Sequence, residues 1–147
     1  ADTAGITARS TLWGFGGAAA ATAAMVAGGS WTTPLAALTE SWNGTSWSEV
    51  AALNNPRGIG NAASGTQTAG LICGGYQGGS IAKTETWDGT SWSEVGDMGT
   101  ARNNLNGTPA GTSSVAACYV GSPNLTVGKL CEEWDDPVYA IETVTTS

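Results

Sequence analysis

Residues 39–50 read TESWNGTSWSEV, and residues 84–95 read TETWDGTSWSEV, so ten of twelve positions are identical in two stretches that lie 45 residues apart. Each stretch holds two tryptophans around an Asn-Gly or Asp-Gly pair, which between strand-like runs is the strongest short-range signal for a β-hairpin. Residues 43–46 are therefore predicted to form a loop across which Trp42 faces Trp47 and packs against it. The second copy predicts the same pairing of Trp87 with Trp92.

The hairpin belongs to a longer repeat that occurs three times in the chain. In each unit an arginine is followed by a double glycine, then Glu-x-Trp, and then, after four intervening residues, a second aromatic residue. We predict one repeat domain with units at residues 1–50, 51–95 and 96–147. The landmarks are Arg9, Arg57 and Arg102; Gly28-Gly29, Gly74-Gly75 and the degenerate Val120-Gly121; Glu40, Glu85 and Glu132; Trp42, Trp87 and Trp134; and Trp47, Trp92 and Tyr139.

Local signals within a unit are all typical of β-structure. In the second unit we predict strands at residues 58–64, 69–73, 82–87 and 91–95, with the first turn at Gly65-Thr66. The alanine-rich residues 18–24 have helix propensity, but the repeat aligns them with strand-like segments, so they are predicted to be a strand. Each unit thus supplies four short antiparallel strands, and the fold class is all-β.

Composition excludes several classes of function. The net charge is −7 with only five Lys and Arg, which disfavours binding to nucleic acid or to an anionic membrane surface. No apolar run is long enough for a transmembrane helix. The chain has no histidine, so it lacks the commonest general base and the commonest metal ligand. It begins at Ala1, which indicates either a removed leader or a piece of a longer polypeptide.

Four-stranded units with a period of 45–48 residues are typical of propeller blades. The double glycine after a hydrophobic run, followed by Glu-x-Trp, a turn and a second Trp, resembles the kelch motif over essentially the whole chain. It is most similar to the kelch-like repeats of structural proteins from marine phages and bacteria, and residues 141–147 resemble the tails of such proteins. The resemblance implies a role on a virion or a cell surface.

The third unit departs from the pattern, since Val120 replaces the first glycine and Tyr139 replaces the second tryptophan. Such changes are expected of a terminal, capping repeat. Because propellers use four to eight blades, three blades would leave apolar faces exposed. We therefore expect the fold to be completed by oligomerisation, either with further copies of the chain or with other virion or surface proteins.

Aromatic residues outside the repeated pattern are the best candidates for contact with a partner such as a glycan. Trp31 and Tyr76 follow the double glycines, and Trp13 is a weaker candidate. The loops that hold Trp31 and Tyr76 are expected to share one end of the sheets with Asn54, Asn55 and Asp97. The repeated tryptophan pairs, by contrast, are predicted to be core.

The recurring charges favour a structural interpretation. One Arg and one Glu per unit predict an ion pair or a clamp on the backbone. Four acidic residues cluster near the end of the chain, and although carboxylates suit calcium, no calcium-binding spacing is present, so a solvated acidic edge is predicted. The cluster is Glu132, Glu133, Asp135 and Asp136. No metal and no cofactor is expected.

The three cysteines fit no metal-binding spacing. Cys118 and Cys131 flank a connection in the third unit at equal distances from its middle, which predicts a disulfide between them. Cys73 is then expected to be a small buried apolar side chain.

Three functions remain open at this point. The leading hypothesis is a non-enzymatic structural or adhesin module of a virion or cell surface, acting as a fibre, a decoration or a glycan-binding protein. The alternative is an intracellular protein-interaction scaffold, which a stable disulfide would disfavour. A remote third is an enzyme similar to galactose oxidase, but the absent histidines leave it no copper ligands of the usual kind. A fold alone licenses none of these.

Overall fold

The computed structural model describes residues 5–8, 13–15, 22–29, 37–58, 62–107, 114–119, 121 and 131–135. Eleven strands in these ranges form three antiparallel sheets, and none of the described residues belongs to an α-helix. The predicted all-β class is therefore confirmed.

Each sheet is a meander in which neighbours along the chain are neighbours in space. The first sheet contains β1 (Trp13–Phe15), β2 (Ala24–Ala27), β3 (Thr39–Trp42) and β4 (Trp47–Val50). The second contains β5 (Ala62–Thr66), β6 (Ala69–Cys73), β7 (Thr84–Trp87) and β8 (Trp92–Glu94). In the third, the described strands are β9 (Asn106–Gly107), β10 (Val115–Tyr119) and β11 (Cys131–Asp135). Of the predicted strand at residues 18–24, only Ala24 is in a described strand, and residues 18–21 lie outside the described ranges.

The two tryptophan hairpins form as predicted. Trp42 pairs with Trp47 and Trp87 with Trp92 in the strand register, and the ring centroids are 5.5 and 5.3 Å apart. The turn residue closes each loop with its side chain, because the carboxylate of Asp88 accepts hydrogen bonds from the backbone N–H groups of Thr90 and Ser91. Asn43 does the same in the first hairpin. The Asn/Asp-Gly signal therefore predicts both the turn and its closure.

The turn predicted at Gly65-Thr66 is wrong by two residues. Strand β5 continues through Thr66, and the chain reverses at Gln67 and Thr68. Gly65 is needed inside the strand instead, since its φ is +114° and a side chain there would collide with the backbone of Ala69. A glycine between polar residues signals a turn, but here it permits a close approach of two strands.

The second sheet packs against both of its neighbours, because successive side chains of a strand point to opposite faces. On β6, Ile72 joins a core cluster with Met25 of the first sheet, and Leu71 joins a cluster with Leu105 and Ala116 beside the third. The first strands of the three sheets lie next to each other, β5 between β1 and β9. The core therefore consists of two layers, one at each sheet-to-sheet boundary.

The predicted disulfide between Cys118 and Cys131 is wrong. The bond joins Cys73 to Cys118, and Cys131 is a free, exposed thiol. The register explains the difference, because Cys131 lies opposite Tyr119 while Cys118 lies opposite Glu132. Cys118 and Cys131 therefore point to opposite faces of the third sheet. Cys73 is buried as expected, but it links the second sheet covalently to the third.

Candidate functional site

The recurring arginine of the second unit is wholly buried and tied to the glutamate of the same unit. Arg57 Nη2 lies 2.5 Å from Glu85 Oε1, and both side chains are inaccessible to solvent. Arg57 Nη1 donates to the carbonyl oxygens of Gly74 and Lys83 at 3.1 and 2.7 Å. Burial lowers the pKa of Arg57, and the charge of Glu85 opposes that shift. The pair cannot reach a substrate, so it holds the backbone.

Glu85 also binds the segment that precedes β5, the first strand of the second sheet. Its Oε2 accepts hydrogen bonds from the backbone N–H and the side-chain amide of Asn54, and its Oε1 accepts one from the backbone N–H of Asn55. Asn54 further donates to the carbonyl oxygen of Trp92. These backbone and amide groups fix the loop, and contact of Asn54 and Asn55 with a partner stays a prediction.

The clamp recurs in the third unit and, in part, in the first. Arg102 Nη2 lies 2.6 Å from Glu132 Oε1, and Glu132 Oε2 accepts a hydrogen bond from the backbone N–H of Gly99. In the first unit Glu40 accepts from both the backbone N–H and the hydroxyl of Thr7, while Arg9 lies outside the described residues. The predicted ion pair of the Arg and Glu landmarks is confirmed for Arg57 with Glu85 and for Arg102 with Glu132.

Each buried arginine also joins its sheet to the one before it. The carbonyl oxygen of Arg57 accepts a hydrogen bond from Gly29 at the end of β2, and that of Arg102 accepts one from Gly75 at the end of β6. The second glycine of each double glycine is therefore a donor to the next unit. The same backbone contact therefore recurs at both boundaries between sheets.

Tyr76 lies in the loop between β6 and β7, paired with the segment that enters its own sheet. Its backbone N–H and C=O exchange hydrogen bonds with Gly58 at 2.9 and 3.0 Å, and it also bridges Ser80. Tyr76 is half-buried as a residue. The loop of Tyr76 thus lies beside the segment that follows Asn54 and Asn55, whereas Trp31 and the side chain of Trp13 are outside the described part of the chain.

Asp97 lies between β8 and β9, in the segment that leads into the third sheet, and forms an exposed ion pair. Its carboxylate is 3.2 Å from Lys83 Nζ, which also approaches Glu94 at 3.7 Å. The hydrogen bond to Asp97, followed by its charge, raises the pKa of Lys83. Both side chains remain accessible to solvent, so this group could contact a partner at the same end of the sheets.

The acidic residues near the end of the chain do not form one cluster, because successive side chains of β11 point to opposite faces of the sheet. Glu132 turns toward Arg102, whereas Glu133 and Asp135 are exposed on the opposite face; Asp136 lies outside the described residues. Among the side chains that can be placed, no three His, Cys, Asp or Glu residues are grouped to hold a metal ion.

A small cleft opens between the second and third sheets beside the disulfide. Its volume is about 60 Å³, which corresponds to roughly two water molecules and is too small for a sugar ring. Its lining includes Leu71, Cys73, Thr84, Met98, Cys118 and Trp134.

Gln67 and Thr39 also make contacts between sheets that were not predicted. Gln67 Nε2 reaches from the β5–β6 turn to Trp42 O and Ser41 Oγ of the first sheet, at 2.7 and 2.5 Å. Gln67 has no counterpart in the other units, so the repeat gave no signal for it. Thr39 accepts a hydrogen bond from Trp92 Nε1, and here a signal existed, because the repeated stretch begins with threonine in both copies.

The chain matches no protein-family model, and no curated protein matches it. None of the described residues forms a helix long and apolar enough to cross a lipid bilayer.

Proposed function

We propose that this chain is a non-enzymatic structural module of a virion or a cell surface, built from three kelch-like propeller blades and able to attach to a surface ligand. The observation that carries the proposal is the repeated clamp. Arg57, Glu85 and Arg102, the charged landmarks of the repeat, are buried, and their side chains bind groups of their own unit. Among the described residues, the exposed groups lie in loops and on sheet faces suited to binding.

Three features support propeller blades. The sheets are four-stranded meanders where all four strands are described, and their first strands lie side by side. The same backbone hydrogen bond, from the second glycine of one unit to the arginine carbonyl of the next, joins successive sheets. A propeller arranges its blades in this way around a central axis. The kelch-like order of the sequence landmarks points to the same architecture.

The disulfide favours a surface over an intracellular scaffold. Cys73 and Cys118 join two neighbouring sheets, and such bonds persist in oxidising compartments and are rare in a reducing cytosol. A virion exterior or a cell surface is therefore the proposed location.

The proposed attachment site is the end of the sheets that holds Tyr76. Backbone hydrogen bonds with Gly58 fix the main chain at Tyr76, and a partly exposed aromatic side chain on a fixed main chain is suited to stacking on a sugar ring. Lys83, directly before β7, and Asp97, after β8, supply hydrogen-bonding groups at the same end of the sheets, and Trp31 follows the equivalent double glycine in the first unit. The ligand class proposed is a surface glycan.

The test compares glycan-array and host-envelope binding of the unmodified protein with that of Tyr76→Ala. Thr68→Ala is the matched control, because Thr68 lies in an exposed turn at the opposite end of β6. We expect Tyr76→Ala to lose at least about tenfold in affinity, which corresponds to the ~1.4 kcal/mol attributed to one aromatic contact. Equal binding by both variants would remove the attachment role. Imaging of the parent particle would test the proposed location independently.

A further inference from the structure

Every sheet of this chain has two different faces. The leading face of the second sheet carries Ile72, Glu85, Trp87 and Trp92 and packs on the first sheet; its trailing face carries Leu71, Cys73 and Thr84 and packs beside the third. Because the units align position by position, the equivalent residues define the leading and trailing faces of the first and third sheets. Within the chain, a leading face therefore always meets the trailing face of the sheet before it.

The leading face of the first sheet is the same kind of surface but is less covered. Trp42 and Trp47 occupy the positions of Trp87 and Trp92 and keep the same ring contact. Trp87 and Trp92 are only 2% and 6% exposed, whereas Trp42 and Trp47 are each partly exposed. Trp87 and Trp92 are therefore core, whereas the equivalent pair, Trp42 and Trp47, lies on an outer surface of the chain.

The trailing face of the third sheet is the complementary outer surface. The repeat offset of 46 residues between the double glycines equates Ala117 with Leu71 and Tyr119 with Cys73, both fully buried in the second sheet. The same face of β10 carries Val115. Val115 and Tyr119 are 61% and 38% exposed, and they are the large hydrophobic side chains most accessible among the described residues.

We propose that the leading face of the first sheet binds the trailing face of the third sheet of a second copy of this chain. The proposal rests on the blade architecture of the proposed function, and it names the partner. The two internal boundaries show what covers such faces, namely a sheet of the same repeat in the same order. The contact is head-to-tail, so two copies can satisfy both faces of each other and close six sheets into a ring.

The internal boundary also predicts which atoms meet. Trp92 Nε1 donates to Thr39 Oγ1 across the first boundary. Trp47 is the equivalent of Trp92, and Cys131 is the third-unit equivalent of Thr39 and Thr84, so Trp47 of one copy should lie against Cys131 of the other. Cys131 is a free and exposed thiol, and it serves as a natural reporter of the contact.

The negative charge of both copies opposes their association, which should make the association depend on salt concentration. Each copy carries a net charge of −7, and Glu133 and Asp135 are exposed on the trailing face of the third sheet. Salt screens such repulsion. The head-to-tail contact should therefore strengthen between low ionic strength and 0.5 M salt, as apolar association between like-charged proteins does.

A complementation experiment tests the orientation of the contact. Trp47→Glu blocks the leading face and Tyr119→Glu blocks the trailing face, and each variant alone should sediment at the 14.7 kDa mass of one chain. An equimolar mixture retains one intact face of each kind and should form a one-to-one complex of twice that mass. Two variants that stay monomeric when mixed, or that each still dimerise alone, would overturn the proposal. Circular dichroism and cooperative unfolding establish that both variants are folded.

Thiol labelling of the unmodified protein is the second measurement and needs no variant. Cys131 should react about tenfold more slowly once nine-tenths of the chain is assembled, because only the dissociated fraction exposes it. A compact monomer at micromolar concentration, with labelling independent of concentration, would show that neither face binds a second copy. Loss of glycan binding with intact assembly would instead remove only the proposed attachment role.

Discussion

The indole nitrogen Nε1 of Trp92 donates a hydrogen bond of 3.1 Å to Oγ1 of Thr39, a residue 53 positions earlier in the chain and in a different sheet. Both side chains are buried. Trp92 thus packs on Trp87 in its own hairpin and also donates a hydrogen bond to the hairpin of the neighbouring sheet. The boundary between sheets therefore has polar specificity in addition to apolar packing.

A double-mutant cycle should measure this bond. Trp92→Phe leaves the Thr39 hydroxyl buried without its donor, and Thr39→Val leaves the indole N–H buried without its acceptor, so each change should cost about 1–3 kcal/mol of unfolding free energy. The double variant should cost less than the sum of the two. Strict additivity in urea titrations would show that the two groups do not interact.

The two tryptophan hairpins should respond differently to truncation. Trp87→Ala removes a fully buried side chain and should cost about 3–5 kcal/mol. In the dissociated chain, Trp42→Ala, the matched change in the first hairpin, should cost clearly less because Trp42 is partly exposed there. A loss below about 1 kcal/mol for Trp87→Ala would contradict its place in the core.

The buried clamp should be far more sensitive than the exposed ion pair near it. Glu85→Gln leaves the Arg57 guanidinium buried without a counter-charge, and breaking such a pair costs about 3–5 kcal/mol. Asp97→Asn breaks the solvent-exposed pair with Lys83 and is the control, for which we expect no measurable loss. Equal stability of Glu85→Gln and Asp97→Asn in denaturant titrations would be incompatible with a structural clamp.

The disulfide should be tested by labelling and by reduction. When the protein is unfolded without a reductant, a thiol reagent should modify Cys131 alone. Reduction should lower the unfolding free energy by up to about 4 kcal/mol, given the 45-residue separation of Cys73 and Cys118. Modification of Cys73 in the unreduced protein would restore the pairing of Cys118 with Cys131.

The second hairpin should weaken in acid and the first should not. Hydrogen bonds from the backbone of Ser91 and from the hydroxyl and backbone of Thr90 hold the pKa of Asp88 well below its ordinary value. Because the folded pKa is depressed, the stabilisation is complete above the unfolded pKa of about 3.9 and is lost as the pH falls toward the folded value.

Asp88→Asn is the control, since Asn43 already closes the first hairpin with the equivalent bonds. This variant should remove the Asp88 contribution to the slope of stability against pH below pH 4. An unchanged slope, measured by thermal unfolding across that range, would mean that Asp88 does not titrate as the geometry requires.

Local signals in the sequence predicted what is local in the fold. The Asn-Gly and Asp-Gly turns placed Trp42 opposite Trp47 and Trp87 opposite Trp92, and the apolar run at Ala69–Cys73 is a strand with the predicted bounds. The recurrence of Arg57 and Glu85 predicted a structural pair, since a catalytic cluster would not be repeated once per unit.

Features set by packing between sheets were beyond sequence reasoning. Cys118 and Cys131 seemed paired because they flank one connection, but the register turns them to opposite faces and brings Cys118 to Cys73, one repeat earlier. No local signal predicted that the carboxylate of Glu85, some 30 positions later, accepts hydrogen bonds from Asn54 and Asn55.

The Cys73–Cys118 bond has a mechanical consequence. If the chain is pulled from its ends, tension passes through the bond and bypasses the intervening segment, which includes β7, β8, the clamp arginine Arg102 and the loop of Tyr76. That segment would otherwise lengthen the molecule by about 150 Å when fully extended. When the chain is pulled from its ends, the bond therefore keeps the loop of Tyr76 out of the path of force for as long as it stays oxidised.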